Sequence, residues 1–181
     1  MKYSMGKIFL MGLLLLVVSC LDSQSLSQQQ QVNNASVFND TNKKEIDKLT
    51  KCERLKLELP QFKPYPYVWG GESVKEGGYD CSGFIYAVFK KIGNPVPRTT
   101  SYKYWVLFDG KEIHWKEAKC IDLVWFTFSS DRPFGHIGIV TQIPKFWQSG
   151  SSTGPTESKL WVGGYWNKRF QNAKRINFKE N

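Results

Sequence analysis

The sequence predicts an α+β fold in which one central helix packs on an antiparallel β-sheet. One long apolar segment has helical character, and it lies at residues 81–92. Short segments rich in β-branched and aromatic residues follow it, separated by turn-forming residues, which is typical of strands. Because the strands follow the helix instead of alternating with helices, the order indicates the α+β class.

The predicted helix begins at Cys81, with Asp80 in the position of an N-cap, and Gly93 ends it. It is apolar on most faces, so it should lie under a sheet. The strands are predicted at 121–128, 136–143, 145–149, 160–166 and 168–178.

The N-terminus predicts export. Lys2 and Lys7 precede an apolar run of eleven residues, Ile8 to Val18, which is too short to span a membrane and suits a secretion signal. Its ending, "LVVSC", resembles a bacterial lipobox, so residues 1–19 would be a lipoprotein signal peptide and Cys20 would carry the lipid anchor. An ordinary signal peptide with an incidental cysteine is the alternative. With the anchor, the protein would function in the cell envelope, held on a bacterial membrane and facing the periplasm or the exterior.

Three further regions follow. Residues 20–42 are rich in Ser, Gln and Asn and predict a flexible polar tether. Residues 43–60 predict a helix that Pro60 ends, either packed on the domain or extending the tether. Residues 61–181 would form the single compact domain.

The net charge indicates which kinds of partner the chain could bind. The chain of 181 residues has a net charge of +9, which suits an anionic cell-wall polymer or a solvated basic face. An exported chain without a compact Lys/Arg cluster is not expected to bind nucleic acid. No cofactor is predicted, and no metal site, because the two histidines are far apart and no paired cysteine motif is present. A monomer is expected.

The segment "YDCSGF", residues 79–84, predicts a reactive thiol. A helix N-terminus and a nearby imidazolium both lower the pKa of a thiol, and Cys81 lies at such a terminus. His136 opens an apolar strand and is the candidate base, whereas His114 lies in a charged, solvent-facing stretch.

A catalytic base needs a group that orients its ring. If the chain turns at Pro144, Gln148 would lie beside His136 on the neighbouring strand. Gln142 is on the same strand as His136 and too far along it to reach the ring. The glutamine oxygen can accept the ring N–H but cannot offset an imidazolium charge.

Six segments in order resemble the NlpC family of bacterial cell-wall cysteine peptidases, which has a papain-like fold. They are "YVWGG" (67–71), "YDCSGF" (79–84), "VPRTT" (96–100), "DLVWF" (122–126), "GHIGIV" (135–140) and "YWNKRFQNAKRI" (165–176). The sequence departs from the family at Gln148, where histidine is usual, and in "KCIDLVWF", which lacks the usual Pro-Gly before Asp-Leu.

The resemblance implies a function and roles for residues. Cys81 would be the nucleophile, His136 the general base and Gln148 the third polar residue of a peptidase that cuts peptidoglycan stem peptides, typically at the γ-D-glutamyl-diamino acid bond. Substrate contacts would come from Tyr67, Trp69, Asp80, Ser82 and Arg98.

Several of these substrate roles have alternatives. Asp80 and Ser82 would hold a substrate ammonium group, although Asp80 could simply cap the helix. Arg98 would support them, meet a substrate carboxylate or form a surface ion pair. Trp69 would line the groove or fill the core.

Two rival functions stay open. One is another thiol acyl-transfer reaction on the same fold, such as that of an N-acetylmuramoyl-alanine amidase, and the other is a catalytically silent lipoprotein that binds the cell wall. Cys52 and Cys120 could form a disulfide in an exported protein. A bridge to Cys81 would exclude the enzyme.

Overall fold

The computed structural model describes residues 45–177 and divides the chain into two units, Met1–Lys48 and Leu49–Asn181. In the first unit, residues 45–48 are helical, and Lys48 pairs with Glu45 at 2.6 Å on the surface. The predicted signal peptide, the lipidation site Cys20 and the tether at 20–42 lie outside the described residues.

The second unit is built on a six-stranded antiparallel sheet, and a two-stranded pair, β1 (Glu72–Ser73) with β2 (Gly78–Tyr79), forms a separate small sheet. The six strands are β3 (Gly110–Ile113), β4 (Leu123–Phe126), β5 (His136–Gln142), β6 (Lys145–Gly150), β7 (Gly154–Lys159) and β8 (Phe170–Ile176). Their order across the sheet is β3-β8-β4-β5-β6-β7. Three helices accompany them: α1 (Lys51–Phe62), α2 (Cys81–Lys91) and α3 (Ser101–Leu107). The predicted α+β class is confirmed.

Helix α2 is the central helix that the sequence predicts. The Asp80 side chain caps its N-terminus by accepting a hydrogen bond from the Gly83 amide at 2.6 Å. Gly93 follows its C-terminus with φ +78°, and the Asn94 amide donates to the Phe89 carbonyl at 2.9 Å. Together they form the glycine-terminated motif that satisfies the last carbonyls of a helix. The helix is buried on most faces, so its N-terminus is held rigidly.

The helix predicted at 43–60 differs in the structure. A new helix, α1, starts at Lys51, because Thr50 and Glu53 form a reciprocal capping box. Pro60 lies inside its last turn instead of ending it. Leu55 and Leu59 are buried in the core, so α1 belongs to the compact unit, which starts at Leu49 and not at the predicted boundary of 61.

A disulfide joins Cys52 in α1 to Cys120 just before β4, with the two Cα atoms 5.7 Å apart. Of the two pairings considered from the sequence, this is the one that leaves Cys81 with a free thiol.

The structure differs from the predicted strands in several places, and strands β1, β2 and β3 were not predicted. The predicted strand at 160–166 consists of turns, with Gly163 at φ +75° and Val162 71% exposed. The sheet edge is instead formed by β7, whose sequence "GPTESK" is polar. Helix α3, capped by Thr100, was also not predicted.

The two faces of the sheet cover different cores. Leu123, Trp125, Ile137 and Ile139 face the core that contains α2. The alternate residues of the same strands pack in a second cluster that includes Val124, Phe126, Val140 and Phe146. Because side chains alternate along a strand, His136 and Gln148 share the face of this second cluster. Within residues 45–177, no helix has the length and apolar character that a membrane span requires.

Candidate active site

A cleft with a volume of about 1170 Å³ opens where the N-terminus of α2 meets the start of β5. It brings together seven of the eight catalytic and substrate-binding residues that the sequence predicts within the described region. These are Tyr67, Trp69, Asp80, Cys81, Ser82, His136 and Gln148.

The Cys81 sulfur lies against the backbone on both sides of His136. Its Sγ is 4.0 Å from the Gly135 carbonyl oxygen, and the Ile137 backbone acts to lower the pKa of the thiol. Since the residue is partly exposed, a substrate in the cleft could reach the thiol.

The pKa of the Cys81 thiol is raised to about 12, first by desolvation and second by the negative charge of Asp80. The amides of Cys81 and Ser82 lower this pKa, which is the effect that a helix N-terminus was predicted to have. Burial outweighs them, so the expectation of a lowered thiol pKa is wrong, and the Cys81 thiol is neutral at pH 7.

The β5–β6 hairpin brings His136 to Gln148, as the turn at Pro144 predicts. Gly138 pairs with Gln148 across the two strands, so His136 lies two residues further along the same face. Its Nε2 is 3.0 Å from Gln148 Oε1. An amide oxygen can only accept, so Nε2 carries the proton and Nδ1 is left as the acceptor.

His136 is buried, with 6% of its surface exposed. Desolvation lowers its pKa to about 4, although the hydrogen bond with Gln148 acts in the opposite direction. At neutral pH the imidazole is therefore uncharged, which is the form that can take a proton from a thiol.

Asp80 is held by four donors. Its Oδ1 accepts from the Gly83 amide at 2.6 Å and from the Ser82 hydroxyl at 2.8 Å. Its Oδ2 accepts from the Gly70 amide at 2.9 Å and from the Arg98 guanidinium at 3.2 Å. A carboxylate has about four such acceptor positions, so these contacts occupy the group.

Arg98 lies behind the cleft and does not line it. Besides Asp80, it donates to the Ser82 hydroxyl at 2.9 Å and pairs with Glu72 at 2.7 Å. Of the roles considered from the sequence, this geometry fits support of Asp80 and Ser82.

Tyr67 and Trp69 form one wall of the cleft. The pKa of the half-buried Tyr67 is raised to about 12 by desolvation, with smaller contributions from the nearby Cys81 and Asp80, so its hydroxyl keeps its proton. Trp69 is 82% exposed, which places it on the groove and not in the core.

Comparison with known proteins matches this arrangement to a family. The model of the NlpC/P60 family matches residues 64–175, which include the whole cleft. The chain belongs to the NlpC/P60 family.

Two curated relatives illustrate the similarity. The chain is 32% identical over 149 residues to murein DD-endopeptidase MepH of Escherichia coli, covering 81% of this chain and 54% of MepH. It is 33% identical over 125 residues to the bifunctional muramidase/DL-endopeptidase CwlT of Bacillus subtilis, covering 68% of this chain and 36% of CwlT. The chain thus spans about half of MepH and about a third of CwlT.

Among solved structures, an NLP/P60-family protein of Staphylococcus aureus described as similar to lipoprotein superposes with a TM-score of 0.59 at 27% identity. The match covers 70% of this chain and 41% of that one. The predicted papain-like fold is confirmed by this likeness and by the helix-on-sheet architecture.

Several residues around the site were not predicted from the sequence, among them Trp166, Ser158 and Glu72. The indole of Trp166 stacks on the His136 ring, Ser158 accepts a hydrogen bond from the Gln148 amide at 3.3 Å, and Glu72 pairs with Arg98. Trp166 lies in the "YWNKRF" segment that contributes to the family resemblance, and this was the available signal. Nothing local marks Ser158, since it lies on the unpredicted edge strand β7.

His114 is not part of the cleft, as its sequence predicts. Its Nδ1 accepts from the Lys116 amide at 3.2 Å, which caps a short 3-10 helix. Among the residues that the structure describes, no cluster of three or more His, Cys, Asp or Glu side chains could hold a metal ion.

Proposed function

We propose that this chain is a cysteine endopeptidase that hydrolyses peptidoglycan stem peptides at the γ-D-glutamyl-diamino acid bond. The observation that carries the proposal is the hydrogen bond from His136 to Gln148 in the cleft that also contains the free thiol of Cys81. This hydrogen bond leaves Nδ1 of an uncharged imidazole free to accept a proton in the cleft that the nucleophile also lines, and thiol catalysis needs such a base.

The reaction would begin with proton transfer from the Cys81 thiol to Nδ1 of His136, while the sulfur forms a bond to the substrate's amide carbon. The resulting oxyanion would be stabilised by the Cys81 amide at the helix N-terminus and by the Tyr67 hydroxyl, which keeps its proton at neutral pH. The imidazolium would then protonate the leaving amine as the C–N bond breaks, which leaves a thioester. His136 would finally take a proton from water while the water oxygen bonds to the thioester carbon. The C–S bond then breaks, the proton on His136 returns to the Cys81 sulfur, and the released carboxylic acid ionises in water.

Asp80, Ser82 and Arg98 would act by fixing the start of α2. Asp80 already accepts hydrogen bonds from four donors. Its main role would therefore be to hold the Gly70 and Gly83 amides, and through them the backbone at the start of α2. A substrate ammonium could still meet Ser82 and the charge of Asp80 at the cleft surface.

The test is a digestion of defined muropeptides by the domain from Asn33, with Cys81→Ala as the control. Products are weighed by mass spectrometry. Cleavage at the γ-D-glutamyl bond, lost in Cys81→Ala, supports the proposal. Cleavage of a D,D cross-link instead would match the activity in the name of MepH, and release of the whole stem would favour an amidase.

A catalytically silent wall-binding protein is the alternative from a different class, and Gln148 in place of the usual histidine is the feature that favours it. Intact substrates in every digestion, together with retained binding of both variants to isolated cell walls, would establish that alternative and exclude the endopeptidase.

We also propose that Cys20 is lipid-anchored, on the basis of the "LVVSC" segment. Export to the envelope would place the active site beside its substrate, and two or more acyl chains would make the attachment stable. Metabolic labelling with a palmitate analogue followed by membrane fractionation tests this. Label and membrane association should both disappear in Cys20→Ser, and label that persists would contradict the proposal.

A further inference from the structure

The His136 ring is contacted on its face as well as along its edge. The Trp166 indole stacks on it with ring centroids 5.3 Å apart and planes at 17°. Phe128 approaches edge-on, at 5.5 Å and 67°. The imidazole is therefore contacted by Trp166 on its face and by Phe128, and it is held at Nε2 by the hydrogen bond to Gln148.

Trp166 is itself fixed. Its ring centroid lies 4.9 Å from that of Phe126 and 5.4 Å from that of Phe146, and the planes of the Trp166 and Phe146 rings are at 89°. Phe126 and Phe146 are both fully buried. The Arg169 amide donates to the Trp166 carbonyl at 3.1 Å, at the start of a 3-10 helix. The indole is partly exposed in the cleft, but these contacts hold it against buried aromatic rings on the side away from the solvent.

The orienting group of His136 is neutral. During the proposed reaction the ring becomes an imidazolium, and no carboxylate lies within 4 Å of it among residues 45–177. Burial already disfavours that charge, as the lowered pKa of His136 indicates. A cation stacked on the face of an aromatic ring is stabilised electrostatically, and tryptophan is the best of the three rings for this purpose.

Other ionisable groups lie around the site on several elements. Tyr67 comes from the loop before β1, Asp80 and Cys81 lie at the N-terminus of α2, the 127–135 segment contributes Asp131 and Arg132, and β7 contributes Glu157. The segment that contains Trp166 contributes Tyr165 and Arg169, whose guanidinium lies 3.7 Å from the Tyr165 ring. Of the aromatic side chains around His136, Trp166 is the one that stacks face to face on the ring.

We propose that Trp166 is a positioning residue that holds the His136 ring and stabilises its imidazolium form with the face of the indole. Gln148 cannot stabilise this charge in the same way, because its side chain is neutral. The inference rests on the proposed function, because it concerns the proton transfer in that reaction. It extends the site to a tryptophan on the loop between β7 and β8.

The experiment compares Trp166→Phe, which keeps an aromatic face, with Trp166→Leu, which removes it, in the full chain. Trp161→Phe is the matched control, since Trp161 is in the same loop, half exposed and outside the cleft. We expect kcat to fall about tenfold in Trp166→Leu and less in Trp166→Phe, with KM unchanged. The acid limb of the kcat profile should move to lower pH in Trp166→Leu, because the charged ring is less stable.

A second readout does not depend on activity. The chain contains only two histidines, so NMR titration of the imidazoles, with His114→Gln for assignment, follows His136 directly. Its pKa should fall by about one unit in Trp166→Leu relative to Trp166→Phe. Equal kcat losses in both variants with an unchanged His136 pKa would overturn the proposal and leave Trp166 as a packing residue. If wild type cleaves no muropeptide, the endopeptidase fails while the titration still decides the role of the stack.

Discussion

At the scale of single residues, the charge state of His136 is the property with the most consequences. The ring is neutral in the folded protein down to a pH of about 4, because burial lowers its pKa from an ordinary value of 6.5. The unfolded chain binds this proton more readily than the folded chain does. The contribution of His136 to stability is therefore complete above pH 6.5 and is lost as the pH falls towards 4.

This predicts a specific pH dependence of folding. The free energy of unfolding should fall by about 2 to 3 kcal/mol between pH 7 and pH 4.5 through His136 alone. Urea unfolding at both pH values measures this fall. His136→Gln is the comparison, because carboxylates of the protein also titrate in this range. The fall should be smaller by that amount in His136→Gln, and equal falls in the two proteins would contradict the assignment.

Gln148 allows a second prediction at this scale. Gln148→Glu places a carboxylate 3.0 Å from the ring in the geometry of the present hydrogen bond, which should raise the pKa of His136 and favour the thiolate–imidazolium pair. Alkylation of Cys81 at pH 7 should become about tenfold faster in Gln148→Glu, as for a change of one pKa unit, and slower in Gln148→Ala. Gln142→Ala, on the exposed end of the same hairpin, should leave the rate unchanged. A Gln148→Glu rate no higher than wild type would show that the ring does not control the thiol.

At the scale of elements, the position of α2 depends on a close approach between two backbones. A Cβ atom on Gly83 would lie 2.0 Å from the Gly71 carbonyl oxygen, a contact that neither side can relieve by rotating a side chain. The Gly71 carbonyl also accepts from the Asp80 amide at 2.9 Å. The glycine thus lets the first turn of α2, and the thiol with it, pack directly on the 70–71 loop.

Gly83→Ala should therefore damage both stability and the site. We expect a loss of several kcal/mol in the free energy of unfolding, in the range of strong core disruptions, although alanine is the better helix former. Denaturant unfolding measures it, and Lys90→Ala on the exposed end of the same helix serves as the control. A stability equal to that of Lys90→Ala would mean that the approach is looser than the structure has it.

Elements whose sequence signals lie within one short segment were predicted best. Helix α2 has its cap, its apolar face and its terminal glycine within one short segment, and all three were readable. The start of α1 was not predicted, although the Thr50–Glu53 capping pattern marks it in the sequence. The charged segment before Thr50 suggested one continuous helix instead. Strand β7 was missed because an edge strand with one exposed face needs few apolar residues, while the apolar segment at 160–166 forms turns.

At the scale of the whole molecule, the site combines contacts of short and long range. Cys81 with Asp80, and His136 with Gln148 across one hairpin, follow from neighbouring or paired segments, so the sequence predicted them. Trp166 reaches His136 from a loop 30 residues away in the chain, and Arg98 reaches Glu72 from another loop. Such contacts depend on how the sheet and loops pack, which no local pattern encodes.

The disulfide provides the last prediction, and it concerns the whole compact unit. Cys52 and Cys120 are 68 residues apart, and closing a loop of that size restricts the unfolded chain enough to stabilise the fold by about 4 kcal/mol. Cys52→Ser with Cys120→Ser should lower the free energy of unfolding by about that amount. Cys81 is outside the bridge, so its alkylation rate under native conditions should not change.

Denaturant unfolding of the double variant and of reduced wild type measures the loss of stability. Cys81→Ala is the control, because it removes a cysteine without opening the loop. A double variant as stable as wild type would mean that the packing of Leu55 and Leu59 is sufficient to hold α1. If the double variant loses the predicted free energy of unfolding while the alkylation rate of Cys81 stays unchanged, the cysteines of this chain have two separate roles. One pair stabilises the fold, and one thiol is available for chemistry.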